Sequence, residues 1–293
     1  MSSLQSSQRI PPIGLGTFRL KHEAVQPVIR DGIRIGYRHI DTAAIYQNEK
    51  EIGLVLQELF NAPSSTIKRS DLWITSKLSP YDMKSPRAAL LKSLSSLQTD
   101  YLDLYLIHWP AGAKLPTSSP ENKRLRIEAW NVLNEAKQEG LIHHIGVSNF
   151  TPQHIQELID ETTYDFQGAF VQMEIHPWYW RDAFEIQNRF AQHGITIVGY
   201  ALLAEGKLSE EDCPKILDEI AEKLSVSRVQ VVLRWALAKK WGVLVKSENA
   251  QHLRENLLTA TPNTLTSEDS AAIDAISSAN GEQKLCWDPR LVR

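Results

Sequence analysis

The sequence alternates between short apolar runs and longer segments that have the hydrophobic period of an α-helix. The apolar runs lack the strict polar alternation of a half-exposed strand, and such runs are typical of parallel strands covered on both faces. Six of them lie at residues 72–75, 102–107, 142–147, 170–173, 195–198 and 243–245. Residues 13–17 and 39–41 bring the number of strand candidates to eight.

The segments between these runs carry the start and stop signals of helices. Thr151 followed by Pro152 is typical of an N-cap and the first helical position. Ser227 precedes an apolar stripe with i, i+3, i+4, i+7 spacing that begins at Val229. Gly140 is typical of a helix end. Helical periodicity is also clear over residues 23–35 and 49–60.

Eight β-α units in strict alternation predict an α/β protein of the (β/α)8 TIM barrel class. No change of composition suggests a linker, so we expect a single domain over residues 1–293. An open doubly wound sheet is the rival fold. Its dinucleotide-binding fingerprint is missing, because Gly14 and Gly16 lack a third glycine and a following helix N-terminus.

Composition excludes several functional classes. The net charge is -3 with acids and bases interspersed, which argues against a nucleic-acid partner. No apolar run approaches the ~18 residues of a membrane span, and the polar start lacks the apolar centre of a signal peptide. Cys213 and Cys286 have no metal-like or redox-motif partner, so we expect reduced thiols in a cytoplasmic protein.

Polar residues stand at the ends of three consecutive predicted strands, where a barrel places its chemistry. These residues are Asp41, Lys77 and His108, and Tyr46 lies in the loop beyond Asp41. A lysine that ends an apolar strand is costly unless an acid pairs with it, and Asp41 is such an acid. We expect the ammonium to lower the pKa of Tyr46, so that the phenol can donate a proton. His108 would then orient the substrate oxygen, and Trp109 would form an apolar wall.

Each of the four residues, taken singly, also has a structural explanation as part of a buried ion pair, a hydrogen-bonded tyrosine or a capping histidine. Their occurrence together at neighbouring strand ends favours a catalytic site. Glu174 and His176 resemble metal ligands, but two polar residues at i, i+2 without further partners are more consistent with a structural role. We therefore predict no metal site.

The combination of motifs resembles the aldo-keto reductase family. The resemblance rests on residues 36–43 (GYRHIDTA), on Tyr46 with Asn48-Glu49, on Lys77 and on residues 106–110 (LIHWP), and it extends over residues 10–256. It implies a (β/α)8 barrel that interconverts small-molecule carbonyls and alcohols with a nicotinamide cofactor, as a monomer. It also implies that Tyr46 is the proton donor, that Lys77 and Asp41 tune it, and that His108 positions the carbonyl. Phe18 and Trp109 would belong to the substrate rim.

The same resemblance implies a set of cofactor-binding residues. Ser148, Asn149 and Gln172 would bind the carboxamide, and Tyr200 would stack on the nicotinamide ring. Lys246 and Ser247 would hold the phosphates near a helix start. Glu255 and Asn256 keep the family's spacing from Lys246 and complete the set.

The sequence departs from the family pattern at two places that concern the cofactor. The family default is NADP, but His252 stands where an arginine usually binds the 2′-phosphate, and Glu248 lies near that position. Arg254 is two residues further on and would point away on a helix. NAD is therefore a possible cofactor as well. After Tyr200, the residues Ala-Leu-Leu at 201–203 replace the family's Ser-Pro-Leu, which leaves open how this loop closes over the pyrophosphate.

Two other functions remain as alternatives to a carbonyl reductase. Barrels of this family also serve as cofactor-binding regulatory subunits with little turnover, and the four site residues alone do not separate the two roles. A hydrolase would need a carboxylate pair or a metal cluster at the strand ends, and Lys77 beside Asp41 suits neither.

Overall fold

Eight parallel strands form a closed barrel in which each strand pairs with the next and the eighth pairs with the first. The computed structural model describes residues 9–209, 213–260, 265–279 and 281–293. The strands are β1 (Ile13–Gly16), β2 (His39–Asp41), β3 (Trp73–Leu78), β4 (Leu102–Ile107), β5 (Ile142–Ser148), β6 (Phe170–Glu174), β7 (Thr196–Tyr200) and β8 (Gly242–Val245). The predicted (β/α)8 barrel is confirmed.

Helices connect the strands and surround the barrel. They are α1 (His22–Ile35), α2 (Glu49–Asn61), α3 (Pro86–Leu97), α4 (Glu121–Gln138), α5 (Pro152–Glu161), α6 (Arg181–Arg189), α7 (Lys215–Leu224), α8 (Arg228–Ala238), α9 (Ala250–Leu258), α10 (Ser267–Asp274) and α11 (Ile276–Ala279). The predicted caps are confirmed, since the hydroxyl of Thr151 accepts from the amide of His154 and that of Ser227 accepts from the amide of Gln230. The positive φ of Gly140 follows the end of α4.

The third strand is longer than its apolar run. The predicted strand, residues 72–77, passes through polar Ser76 and ends at Lys77, and β3 continues one residue further to Leu78. Lys77 stays in register because its neighbour is Leu106 of β4, so pairing to the next strand extends β3 through the polar residues. The carboxyl end of β3 therefore carries a lysine inside the barrel wall.

The barrel has an apolar interior of its own, separate from the large core between strands and helices. Side chains from five strands fill it, namely Trp73, Leu104, Leu106, Phe170, Val198 and Leu244. A filled interior leaves the carboxyl ends of the strands as the place for a site. Among the described residues, no helix is long and apolar enough to cross a membrane.

Candidate active site

A buried ion pair joins the ends of β2 and β3. Lys77 Nζ donates to Asp41 Oδ1 at 2.6 Å and to the main-chain oxygen of Thr42 at 2.8 Å. The Lys77 side chain is fully buried, and burying an ammonium is tolerable only with such partners. The predicted pairing of this lysine with Asp41 is confirmed.

Tyr46 is brought over this ion pair by a short 3-10 helix, Ala44–Tyr46, between β2 and α2. The loop is fixed by Asn48, whose amide donates to the main-chain oxygen of Thr17 at 3.0 Å and whose Oδ1 accepts from the Thr42 hydroxyl at 2.7 Å. As a result, Lys77 Nζ lies 5.2 Å from the centroid of the Tyr46 ring, which is within the range of a cation–π contact.

His108 follows the last residue of β4 and faces Tyr46. The two ring centroids are 5.6 Å apart at an interplanar angle of 75°. Asn149 Nδ2 donates to the main-chain oxygen of His108 at 3.0 Å, which fixes the backbone there. Among the residues that the structure describes, His108 Nδ1 is buried without a hydrogen-bond partner. The structure therefore brings all four predicted residues, Asp41, Tyr46, Lys77 and His108, to one end of the barrel.

The pKa of Tyr46 is shifted in the opposite direction to the one predicted from the sequence. Burial, followed by the charge of Asp41, raises the pKa of Tyr46 well above its ordinary value. The predicted lowering by Lys77 is wrong, because desolvation of the phenolate and the nearby carboxylate outweigh the ammonium. Burial, followed by the charge of Lys77, lowers the pKa of His108 well below its ordinary value. Burial also lowers the pKa of Lys77 itself, against the opposing effect of Asp41.

The consequence is a defined protonation state near neutral pH. The phenol of Tyr46 keeps its proton, and the imidazole of His108 is neutral and carries one N–H group. Both side chains are therefore hydrogen-bond donors. Two donors that face each other at one opening can bind the same acceptor, and a carbonyl oxygen is such an acceptor.

A row of polar side chains continues from this site along β5, β6 and β7. Ser148 is paired in register with Gln172, and Asn149 Nδ2 donates to the Ser148 hydroxyl at 3.1 Å. Gln172 Nε2 donates to Asp41 Oδ2 at 2.7 Å, and the Tyr200 hydroxyl donates to Asn149 Oδ1. The four predicted cofactor residues at these strand ends therefore form one continuous group beside the ion pair.

The other predicted cofactor residues lie beyond β8 and in α9. Lys246 is exposed directly after β8 and precedes the N-terminus of α9. Ser247 accepts from the amide of Asn249 at 3.0 Å, and Asn249 caps α9. Glu255 accepts from Gln251 at 2.9 Å, and Asn256 is buried on the inner side of the helix.

These two groups match two parts of a nicotinamide dinucleotide, its carboxamide and a phosphate. Amide and hydroxyl groups that are buried at a barrel opening fit a carboxamide, which needs both donors and acceptors. An exposed lysine at a helix N-terminus fits a phosphate, because the cation and the helix dipole both attract negative charge. The residues present are therefore suited to a nicotinamide dinucleotide.

The loop after β7 is tied across the same opening. Ala201 has a positive φ of 54° and Leu202 is buried, so the chain turns sharply after Tyr200. Glu205 then forms a 3.0 Å ion pair with Arg19 of the loop after β1. Because β8 lies between β7 and β1, this contact bridges the end of β8, just before Lys246. No sequence pattern predicts this contact, since the two residues are 186 positions apart.

Aromatic rings surround the opening above Tyr46 and His108. The predicted rim residue Phe18 is half exposed, and its ring centroid lies 5.0 Å from that of Tyr46. The other predicted rim residue, Trp109, meets Trp287 edge to face at 6.2 Å. The sequence leaves two roles open for Trp287, a cap over the substrate pocket or an attachment of the C-terminal residues, because the order of the chain does not show which strand end these residues reach.

The pair Glu174 and His176 has a structural role, as predicted. His176 Nε2 and Glu174 Oε1 share a 3.0 Å hydrogen bond, and both side chains are fully buried. Glu174 also binds Lys284 and the amide of Leu285 from the C-terminal residues. No group of three or more metal-ligating side chains occurs within the described ranges.

Comparisons with known proteins agree with this geometry. The sequence profile of the Aldo/keto reductase family matches residues 12–278. Methylglyoxal reductase DkgA of Escherichia coli (strain K12) is 37% identical over 253 residues, which cover 86% of this chain and 85% of that protein. Glycerol 2-dehydrogenase (NADP(+)) of Saccharomyces cerevisiae is 33% identical, over 98% of this chain and 95% of that protein.

A solved structure gives the same result. An aldo/keto reductase from Brucella melitensis superposes with a TM-score of 0.79 at 32% identity, over 94% of this chain and 97% of that one. The chain therefore belongs to the aldo/keto reductase family and is an NAD(P)H-dependent oxidoreductase of carbonyl compounds.

Proposed function

We propose that this protein reduces an aldehyde or ketone to the alcohol with NADPH, and that Tyr46 donates the proton. The observation that carries the proposal is the buried Lys77–Asp41 ion pair beneath Tyr46, with His108 facing the same ring. A buried pair of charges contributes little to stability compared with apolar packing, so its position beside two hydrogen-bond donors supports a chemical role.

The residues would act in the following way. The N–H group of His108 and the hydroxyl of Tyr46 bind the carbonyl oxygen and orient it. NADPH, when bound, supplies the hydride equivalent that reduces the carbonyl carbon. Tyr46 transfers its phenolic proton to the oxygen, because an alkoxide is a stronger base than a phenolate. Lys77, 5.2 Å from the centroid of the Tyr46 ring, stabilises the resulting phenolate, and Asp41 holds the ammonium in place.

The cofactor would lie across the strand ends between the two polar groups. Ser148, Asn149 and Gln172 would bind the carboxamide, and Tyr200 would pack against the nicotinamide ring. The phosphates would bind at Lys246 and Ser247, beside Glu255 and Asn256 of α9. The ion pair of Arg19 with Glu205 would lie over this region, because it bridges the end of β8.

The preference for NADPH over NADH would be weak. His252 and Glu248 are both exposed near the start of α9, and neither supplies the fixed positive charge that a 2′-phosphate favours. Lys246 remains to attract the phosphate, and the yeast relative is named for NADP(+). A Kd for NADPH that is at least about a hundredfold lower than that for NADH, or about 2.7 kcal/mol, would contradict this weak preference.

The activity is tested by measuring the loss of absorbance of NADPH or NADH in the presence of a panel of carbonyl compounds. The panel includes aromatic aldehydes, and the names of the relatives suggest adding methylglyoxal and the oxidised form of glycerol. The Tyr46→Phe variant keeps the ring but not the proton, so turnover should fall by at least about a hundredfold. Undiminished turnover would refute the role of Tyr46. Cofactor binding without turnover of any carbonyl by the wild type would favour the regulatory subunit instead.

A further inference from the structure

Glu49 is a buried acid to which the proposed mechanism assigns no role. It is the first residue of α2, three positions after Tyr46, and only 7% of its surface is exposed. Burying a carboxylate is costly unless its oxygens are hydrogen-bonded. The burial of Glu49 therefore indicates a specific partner, and this partner lies on the strand that carries Lys77.

The partner is Ser76, the residue of β3 that directly precedes Lys77. Its hydroxyl donates to Glu49 Oε1 at 2.6 Å, and both side chains are buried. Successive side chains of a strand point to opposite faces, so Ser76 faces the helices, and Lys77 faces the interior of the barrel. The hydrogen bond therefore ties the first residue of α2 to the outer face of β3, next to Lys77.

Two buried side chains anchor the chain directly after Tyr46. Asn48 bonds to the loop at the end of β1, and Glu49 bonds to β3 on the other side. Within the described part of the chain, the hydroxyl of Tyr46 forms no hydrogen bond of its own, so the main chain and the ring contacts set the position of the phenol. The distance of 5.2 Å from Lys77 Nζ to the centroid of this ring therefore depends on where α2 begins relative to β3.

A purely local role at the end of the helix does not explain the placement of Glu49. An acid in the first turn interacts favourably with the helix dipole, but it does so on an exposed helix as well. A cap bonds to the amides of its own helix, whereas Glu49 bonds to the neighbouring strand. Burial raises the pKa of Glu49, and the bond from Ser76 is the largest effect that opposes it. The bond to β3 is therefore the feature that makes a buried acid tolerable at this position.

We infer that Glu49 is a positioning residue for proton transfer, which acts by holding Tyr46 over Lys77 through its bond to Ser76. The inference rests on the proposed reductase function and adds a residue to it. Glu49 itself contacts neither the substrate nor the reacting atoms, because it lies on the helix side of β3. Without the bond, the start of α2 moves relative to β3, and Tyr46 moves with it. A displacement of ~1 Å at a reacting group can cost about a hundredfold in rate.

The test measures a single turnover of carbonyl reduction by enzyme that is preloaded with NADPH, with the carbonyl that the wild type reduces fastest. Ser76→Ala removes the donor, and Glu49→Met removes the acceptor at a similar side-chain length. Each variant should lower the single-turnover rate by about ten- to a hundredfold and change the Kd for NADPH less than about twofold. The double variant should be no slower than the slower single variant, because both changes remove the same bond.

Two results separate this role from a general loss of packing. The solvent deuterium isotope effect on the single-turnover rate should increase in Ser76→Ala, because proton transfer is the step that is impaired. Glu49→Gln keeps an oxygen that accepts from Ser76, so its rate should stay within about threefold of the wild type. A rate for Glu49→Gln as low as that for Glu49→Met would assign the effect to the charge and overturn the role of the bond.

Gln187→Met provides the control for a loss of stability alone. Gln187 of α6 accepts from the buried indole of Trp241 at 3.0 Å and donates to the main-chain oxygen of Lys239 at 3.2 Å. Trp241 precedes β8, so these bonds lie at the amino end of the barrel, away from Tyr46. The variant should lower the free energy of unfolding, as Glu49→Met does, and leave the single-turnover rate unchanged. An equal fall in rate in Gln187→Met would show that lost stability explains the effect and would overturn the positioning role.

The outcomes distinguish this inference from the proposed function. An active wild type with an unchanged single-turnover rate in Ser76→Ala would overturn the inference and leave the proposed function standing. The same variant, which is the smaller change, decides the matter if Glu49→Met does not fold. A wild type that reduces no carbonyl would overturn the proposed function, and the positioning role with it.

Discussion

The ion pair between Lys77 and Asp41 can be tested by a double-mutant cycle that measures stability. Lys77→Met removes the ammonium while keeping the length of the side chain. It leaves Asp41 buried with Gln172 Nε2 as its remaining side-chain donor. Asp41→Asn removes the carboxylate charge and leaves the fully buried ammonium of Lys77 with the main-chain oxygen of Thr42. The double variant contains neither charge.

The distance in the structure sets the size of the expected effect. Charges 2.6 Å apart attract by about 6 kcal/mol at an effective dielectric constant of 20, and desolvation offsets much of this. Removing one partner of a buried pair typically costs about 3–5 kcal/mol, because an uncompensated charge remains. We expect this cost for each single variant. The double variant should be more stable than the sum of the singles predicts by at least about 2 kcal/mol.

Urea unfolding at neutral pH measures the four free energies of unfolding. Far-ultraviolet circular dichroism and tryptophan fluorescence should give coincident transitions, which justifies a two-state treatment for each variant. If the effects of the two single changes add to within about 0.5 kcal/mol, the two charges are not coupled, and Asp41 does not stabilise the buried ammonium of Lys77.

An exposed ion pair of the same protein provides the matched control. Arg30 of α1 and Glu58 of α2 form an ion pair in which both side chains are more than a third exposed. Solvent screens such a pair and holding two long side chains costs entropy. The cycle of Arg30→Met with Glu58→Gln should therefore give a coupling energy much smaller than that of the buried pair.

Three further predictions follow from the charges of the site and of Glu174. Because the pKa of Tyr46 is raised and that of His108 is lowered, the phenol stays protonated and the imidazole neutral over a wide range. Turnover in the direction of carbonyl reduction should then vary less than about twofold between about pH 6.5 and 9, and a loss with a midpoint inside that range would contradict it. His252→Arg should lower the Kd for NADPH by about tenfold or more and change that for NADH less than about twofold, as measured by fluorescence titration; equal changes would count against the assigned 2′-phosphate position. The pKa of Glu174 falls from 4.5 to about 2 on folding, so its stabilisation is present above pH 4.5 and lost as the pH falls towards 2. This amounts to at most about 3 kcal/mol, and the stability of Glu174→Gln should accordingly depend less on pH in acid unfolding than that of the wild type.

The barrel and the four residues at its carboxyl end can be predicted from sequence because both follow local rules. Apolar runs and helical periodicity give the order of elements, and a parallel barrel places every strand end on one side. Asp41, Lys77 and His108 each stand at such an end, so their proximity follows from the fold. Tyr46 follows Asp41 after a short loop, so it is expected at the same end of the barrel.

Other features depend on distances and burial that the order of residues does not contain. Glu174 and Lys284 are 110 positions apart, and no pattern links a strand end to one particular C-terminal residue. The sequence analysis predicts a lowered pKa for Tyr46, whereas the pKa is raised, and the reason for this wrong prediction is related. The sequence shows that a lysine and an acid are near the phenol, but the sign depends on how deeply the phenol is buried.

The closure of the barrel has a consequence for how the chain must be synthesised. Ile13 of β1 pairs with Val243 of β8, so the first strand cannot complete its hydrogen bonds until the eighth has been made. At about 5–20 residues per second, the edge of β1 waits about 10–50 s on the ribosome. An unpaired edge strand is a template for aggregation during that time. Chains truncated before β8 should therefore aggregate rather than form a smaller barrel, and conditions that slow the last third of translation should lower the yield of soluble protein.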